Sequence, residues 1–299
     1  MPFFATDDVR LHYRSIGHGE SLVLIHGLGS SGEDWAFQEA PLAADFRLII
    51  PDLRGSGRSD PGSVPWTIAL FAKDLWALID ALGETRVRLL GYSLGGAVAL
   101  EMALMRPQSV VRLMTINSLP SYRVDTWRKW MEVHGQLALV RLLGLRRTAS
   151  LVSRRLFPLD HQQAMRERVV HVVSGLSKSA YLKTANALTG WCALDRRAGL
   201  SVPFLMLAAE LDYTPLAEKR DFSRTFGAEF AVVRGSRHGT PFDSIVACNA
   251  CALAFFHGRE LPAETLLTVD TAESAPSAPP AGFGQDLIDQ SATQSGADA

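Results

Sequence analysis

The chain of 299 residues predicts an α/β fold, a mostly parallel sheet flanked by helices and carrying a helical insertion. Three observations lead there. Short apolar runs alternate with helix-period segments up to residue 119, and again from residue 200. One junction, around Gly91-Tyr92-Ser93-Leu94-Gly95, reads as strand, sharp turn and helix. Between residues 120 and 199 helical spacing continues with almost no β-rich runs. Alternating strand and helix favours parallel strands covered on both faces.

The chain opens with a predicted hairpin, Phe3 to Thr6 and Leu11 to Ser15. Strands follow at Leu22–Ile25 and Arg47–Ile50. Ile68, Phe71, Leu75, Leu78, Ile79 and Leu82 recur at helical spacing and predict a helix over 66–82. Arg86–Leu90 reads as a buried strand, Ala97–Met105 as a helix that Arg106-Pro107 ends, and Leu113–Ile116 as the next strand. Strands resume at Phe204–Ala209 and Phe230–Val233, and Ala247–Phe256 reads as a closing helix. In the insertion, four helices are expected around Trp127, Trp130 and Met131; Leu137, Val140, Leu142 and Leu143; Val169, Val170, Val173 and Leu176; and Tyr181, Ala185 and Leu188. The expected organisation is a core of residues 1–119 and 200–258, a helical cap of 120–199 laid over the carboxyl edge of the sheet, and a disordered acidic tail of 259–299.

A serine between a strand and a helix is thrust out of the sheet, and glycines on either side let the backbone pass. That places the Ser93 hydroxyl as a nucleophile and aims the Leu94 N–H at a developing oxyanion. A serine needs a base, and the base needs an orienter. His238 follows the strand 230–233, and Asp212 follows the strand 204–209. Both lie where parallel sheets place their chemistry, at the carboxyl ends of strands. Glu210 is the alternative acid, and Asp212 could instead cap the helix after Pro215. Asn117-Ser118 stands at another position where an acid is sometimes placed, but neither side chain is acidic. His26 reads as structural, bonding the loop around Gly27.

These motifs together resemble an α/β-hydrolase of the single-domain esterase and lipase-like type, over residues 3–258. His26-Gly27-Leu28-Gly29 is similar to the family's oxyanion loop, which implies that Leu28 donates the second oxyanion N–H beside Leu94. Pro51-Asp52-Leu53-Arg54-Gly55-Ser56-Gly57-Arg58-Ser59 looks like the family's structural D-x-R-G-x-G-x-S loop, and Asp212-Tyr213-Thr214-Pro215 resembles its acid turn. The resemblance implies a serine hydrolase acting on a carboxylic ester or related acyl bond through an acyl-enzyme. Lactonase, thioesterase, amidase, carbon–carbon bond hydrolase and cofactor-free perhydrolase (haloperoxidase-like) activities use similar triads. A non-catalytic module holding a small ligand is the rival from another class. The serine nucleophile argues against chemistry that needs an aspartate there.

Composition narrows the rest. The net charge of −1 hides a segment, residues 120–199, with 14 Lys or Arg against 5 Asp or Glu. That segment would suit an acidic acyl carrier protein as a partner beside a small ester or acyl substrate; no nucleic acid is indicated. After Arg259 no Lys or Arg occurs. No run reaches the ~18 apolar residues of a membrane span. The start lacks a basic-then-apolar leader and the three cysteines suit a reducing compartment, so a cytoplasmic location is expected. Cys248 and Cys251 share a face of the closing helix and are expected to pack as small apolar side chains. No metal-ligand spacing is visible among the histidines, and no cofactor is implied.

Overall fold

Each central strand divides its side chains between two apolar layers. Val23 and Ile25 join one layer while Leu22 and Leu24 join the other; Leu89 and Leu90 part in the same way, as do Met206 and Leu205. Strands buried on both faces are what uninterrupted apolar runs produce in a parallel sheet. The computed structural model describes residues 2–267. Its strands are β1 (Phe3–Ala5), β2 (Arg10–Ile16), β3 (Ser21–Ile25), β4 (Arg47–Pro51), β5 (Val87–Tyr92), β6 (Val110–Ile116), β7 (Phe204–Ala209), β8 (Glu229–Val233) and β9 (Leu266–Leu267). They form one sheet in the order β1-β2-β4-β3-β5-β6-β7-β8-β9. From β4 to β8 neighbours are parallel; β1, β2 and β9 are antiparallel additions at the two edges.

The helices are α1 (Glu39–Ala43), α2 (Ile68–Ala81), α3 (Leu94–Met105), α4 (Trp127–Leu156), α5 (Gln163–Ser174), α6 (Lys178–Leu188), α7 (Leu216–Phe226), α8 (Thr240–Asp243) and α9 (Ile245–His257). Phe71, Leu75 and Trp76 of α2 pack with Ala97 and Val98 of α3 on one face of the sheet. Leu42 of α1 and Cys248, Cys251, Phe255 and Phe256 of α9 fill the other. Burying each such aliphatic or aromatic side chain stabilises by about 1.5–3 kcal/mol. Thr67 starts α2 by accepting a hydrogen bond from the Leu70 N–H, and Arg106-Pro107 ends α3.

The break in alternation corresponds to α4, α5 and α6, inserted between β6 and β7. Two of the expected helices, at 127–131 and 137–143, are one helix. α4 continues to Leu156 and bends at Gly144, whose φ of 75° is left-handed. Apolar spacing marks a face rather than an end, so one amphipathic helix reads as two where its buried face shifts. Trp127, Trp130 and Met131 at its start are exposed, and the rings of Trp127, Trp130 and His134 stack at 4.8 and 4.3 Å.

The expected tail begins too early. Beyond α9 the chain returns to the sheet, and Leu266 and Leu267 pair with Val233 and Val232 of β8. Leu261 and Leu266 pack against the core layer on that face. The remainder of the expected acidic tail, residues 268–299, lies outside the described residues. Among the described residues no helix is long and apolar enough to cross a membrane.

Candidate active site

Ser93 sits between β5 and α3 with φ 51° and ψ −115°, a conformation that side chains rarely adopt. Its flanking glycines are obligatory. A Cβ on Gly91 would lie 2.2 Å from the Gly95 carbonyl oxygen, and one on Gly95 would lie 2.1 Å from that of Ile25. The turn at Ser93 is thus pressed against itself and against the end of β3. Leu94 opens α3, so its N–H belongs to the first turn, where amides lack intrahelical acceptors.

His238 follows β8 and reaches this turn. Its Nε2 is 3.1 Å from Ser93 Oγ, and its Nδ1 is 2.9 Å from Asp212 Oδ1. A carboxylate facing Nδ1 fixes the proton there, leaving Nε2 to accept from the serine hydroxyl. Asp212 follows β7, and its side chain is fully buried. Four donors surround it: His238 Nδ1 and the Tyr213 N–H (2.7 Å) on Oδ1, and Thr214 Oγ1 (2.8 Å) and Lys219 Nζ on Oδ2. Burial alone would raise its pKa, but His238 and Lys219 outweigh burial and hold the carboxyl well below the usual carboxylate range. The Tyr213 hydroxyl is 3.3 Å from His238 Nε2, and its ring lies against the imidazole at 4.4 Å between centroids.

The structure therefore brings Ser93, His238 and Asp212 into one hydrogen-bonded line. Glu210 lies elsewhere: its Oε2 accepts from the Gly235 N–H at 2.7 Å. Asn117, in the left-handed region at φ 49°, is a clamp that sequence reasoning passed over. Its Oδ1 accepts from the Ala209 N–H at 2.8 Å, and its Nδ2 donates to the His238 carbonyl at 2.7 Å and Thr240 Oγ1 at 2.8 Å. One side chain thus joins the end of β7 to the histidine loop. Lys219 was also passed over; in sequence it reads as one charge in the run Glu218-Lys219-Arg220-Asp221.

Leu28 lies in the turn after β3. His26 braces that turn as expected: the Leu53 N–H donates to Nε2 at 3.0 Å, so Nδ1 carries the proton and donates to the Gly27 carbonyl at 2.8 Å. Asp34 braces it from the other side, accepting from the Gly27 N–H at 3.1 Å and from Ser30 Oγ. Burial pushes the Asp34 carboxyl above its ordinary range. The Tyr92 ring packs between Gly27 and His238.

The insertion touches both loops. A Cβ on Gly29 would lie 3.0 Å from the Tyr181 ring of α6 and 3.6 Å from Val173 of α5. A Cβ on Gly239 would lie 2.8 Å from Phe157, just past α4. Arg168 of α5 donates to the Glu33 carbonyl.

The glycine-rich loop after β4 is structural. Asp52 accepts from the Gly32 N–H at 2.8 Å and the Arg58 N–H at 3.0 Å. Arg54 is buried between Asp74 (2.6 and 2.8 Å) and Asp8 (2.7 Å). Cys248 and Cys251 are buried in α9, and burial pushes the Cys251 thiol up to about 12. Among the described residues no group of His, Cys, Asp and Glu could hold a metal ion.

The chain belongs to the α/β-hydrolase fold family, whose profile matches residues 20–243. An uncharacterized protein of Mycobacterium tuberculosis is 36% identical over 118 residues, 40% of this chain and 35% of that protein. The chain thus spans about a third of the length of the first curated relatives it matches. "Putative carbamate hydrolase RutD" of Variovorax paradoxus is 30% identical over 210 residues, covering 68% of this chain and 78% of that protein. Among solved structures, the enol-lactonase of Burkholderia xenovorans shares the fold, with a TM-score of 0.77, 23% identity, and coverage of 86% of this chain and all of that one.

Proposed function

We propose that the protein is a serine hydrolase that cleaves a carboxylic ester or a related acyl bond through an acyl-enzyme. The observation that carries this is the line from Asp212 through His238 to Ser93, with contacts of 2.9 and 3.1 Å. Ser93 Oγ attacks the acyl carbon while its proton passes to His238 Nε2. The oxyanion that forms is held by the Leu28 and Leu94 amides; each such donor is worth about 10²–10³ in rate. Asp212, already ionised, stabilises the imidazolium. His238 then gives its proton to the leaving oxygen, and the acyl–oxygen bond breaks. In the second half His238 takes a proton from water, the hydroxyl adds to the acyl carbon, and Ser93 leaves with the proton returned to it.

The helices between β6 and β7 serve as the cap of this site, since Tyr181, Val173 and Phe157 back the oxyanion turn and the histidine loop. Small neutral esters are the expected substrates. Carbamates and lactones belong in the same test, because relatives carry those names. The experiment is a fluorophosphonate probe followed by mass spectrometry, beside a panel of p-nitrophenyl esters, lactones and carbamates. Labelling of Ser93 with turnover of at least one acyl class is expected. Probe attachment elsewhere, or turnover within about tenfold of wild type after Ser93→Ala, would overturn the assignment.

A further inference from the structure

A lysine buried against the acid of a Ser-His-Asp line calls for an explanation. Lys219 is 1% exposed, and its Nζ bonds Asp212 Oδ2. It lies in the first turn of α7, where helical side chains lean back toward the N-terminus, here toward the loop that carries Asp212. Burying an ammonium is costly unless it is paired, and an unpaired carboxylate beside it would be costlier still. Burial draws the Lys219 ammonium below the ordinary lysine range, and Asp212 opposes that.

The two carboxylate oxygens are used differently. Oδ1 takes the imidazole N–H and the Tyr213 amide, whereas Oδ2 takes the Thr214 hydroxyl and the Lys219 ammonium. An ionised carboxylate has about four acceptor directions, and all four are filled. Lys219 therefore fixes the plane of the carboxylate and places a positive charge behind it, on the side away from His238.

We propose that Lys219 is a positioning residue of the triad, which holds Asp212 Oδ1 toward His238 Nδ1 and balances the carboxylate's charge from the side away from His238. This rests on the triad reading above. The reasoning is electrostatic. His238 works as a base only when Nε2 is free, and a bare buried carboxylate would favour the imidazolium strongly. A cation that already balances the carboxylate weakens that preference. The other charged or titratable groups around the pair are Tyr213 on the same loop, Tyr92 beside the nucleophile, Tyr122 after β6 and Asp243 of α8. Glu218 faces Lys219 from α7, and Lys129 of α4 bonds Glu218 at 3.4 Å. Burial raises Tyr92 and Tyr122 above the ordinary tyrosine range, so both are neutral through the mildly acidic range. Asp243 is spoken for by the Ser236 hydroxyl and the Arg237 N–H, at 2.7 and 2.9 Å. Lys219 stands in direct contact with the acid, as a cation on Oδ2.

The test reads the rate of fluorophosphonate labelling of Ser93 against pH, from about 5 to 9, on the full chain. It needs no known substrate. Lys219→Met should move the acid limb up by about one unit, so that labelling well below the limb falls about tenfold relative to wild type. Lys219→Arg, which keeps the charge, should hold the wild-type limb. Glu218→Gln removes a negative charge beside Lys219 and should move the limb the opposite way, by less. A folded Lys219→Met protein whose limb coincides with wild type overturns the proposal, leaving Lys219 a structural ion pair. If Lys219→Met does not fold, the other two variants decide: a Glu218→Gln limb that stays put, or a Lys219→Arg limb displaced upward, overturns it. Absence of Ser93 labelling in the wild type would instead refute the triad reading itself, so the two failures are distinct.

Discussion

Asn117 holds His238 by its backbone, not by its ring: the amide Nδ2 donates to the His238 carbonyl at 2.7 Å while Oδ1 accepts from Ala209 at 2.8 Å. The imidazole is therefore placed by a residue two strands away from its own. Asn117→Ala leaves a buried N–H and a buried carbonyl without their partner and should cost about 2–4 kcal/mol. Ester turnover should fall at least tenfold through kcat, with KM little changed. Denaturant unfolding and steady-state kinetics check both; a stable variant with wild-type kcat would remove Asn117 from the site's support.

The acid is tested by contrast. Asp212→Asn keeps the side-chain shape but offers His238 the wrong partner and leaves the Lys219 ammonium without its counter-charge, so it should lower kcat by about 10³–10⁴ and also lower stability. Glu210→Gln alters a residue that bonds the Gly235 amide and should stay within about threefold of wild type. The reverse ranking in parallel assays would move the acid to Glu210.

Two glycine substitutions should part company. Gly95→Ala drives a Cβ into the Ile25 carbonyl at 2.1 Å and should abolish soluble, folded protein. Gly135→Ala lies within α4 with open space around its Cβ, and should stabilise by up to about 1 kcal/mol through helix propensity. Melting temperatures and soluble yield separate the two outcomes.

Glu101 of α3 ties the nucleophile's helix to the end of the insertion. Arg196 donates to both its oxygens at 2.7 Å, and Trp191 Nε1 donates at 2.9 Å. Burial would raise the Glu101 carboxyl, but Arg196 and Trp191 hold it below its ordinary value. A carboxyl depressed on folding stabilises the native state above its unfolded pKa, about 4.3, and that contribution is lost as pH falls through the folded value. Stability should therefore drop more steeply below about pH 4.3 in the wild type than in Glu101→Gln. Parallel slopes in acid titrations followed by circular dichroism would contradict this.

The chain's end offers a truncation pair. Stopping after Leu267 keeps β9 and should leave the melting temperature nearly unchanged. Stopping after Gly258 removes Leu261 and Leu266 from the core layer and uncovers the edge of β8, so the melting temperature should fall by several degrees. Equal melting temperatures would mean that β9 adds nothing.

The elbow was legible because its parts are consecutive: strand, glycine, serine, glycine and helix follow within twenty residues or so, and each leaves a local mark. The meeting of Ser93, Asp212 and His238 was legible for the same reason, since each follows a recognisable strand. Asn117 and Lys219 were not. Asn117 reads as a turn residue, and its partners lie 92 and 121 positions away. Lys219 is close in sequence to Asp212, but a lysine in a charged helical run looks solvated, and only the fold turns it inward. β9 escaped because two residues carry no periodicity. The two helices expected at 127–143 are one because apolar spacing marks a buried face and not a helix end.

Ser93 and His238 stand 145 positions apart in the chain, and the whole of α4 to α6 is spelled out between them. At ordinary ribosomal speeds that interval is roughly seven to thirty seconds. For most of that time the newborn chain carries the Ser93 turn with neither His238 nor Asp212, and on the triad reading a fluorophosphonate should find no activated serine. Reactivity should switch on only once β7 and β8 have joined the sheet. The insertion marks the seam between the two halves: a chain divided within it gives one fragment holding Ser93 and another holding Asp212 and His238, and on the triad reading neither should label until the two meet.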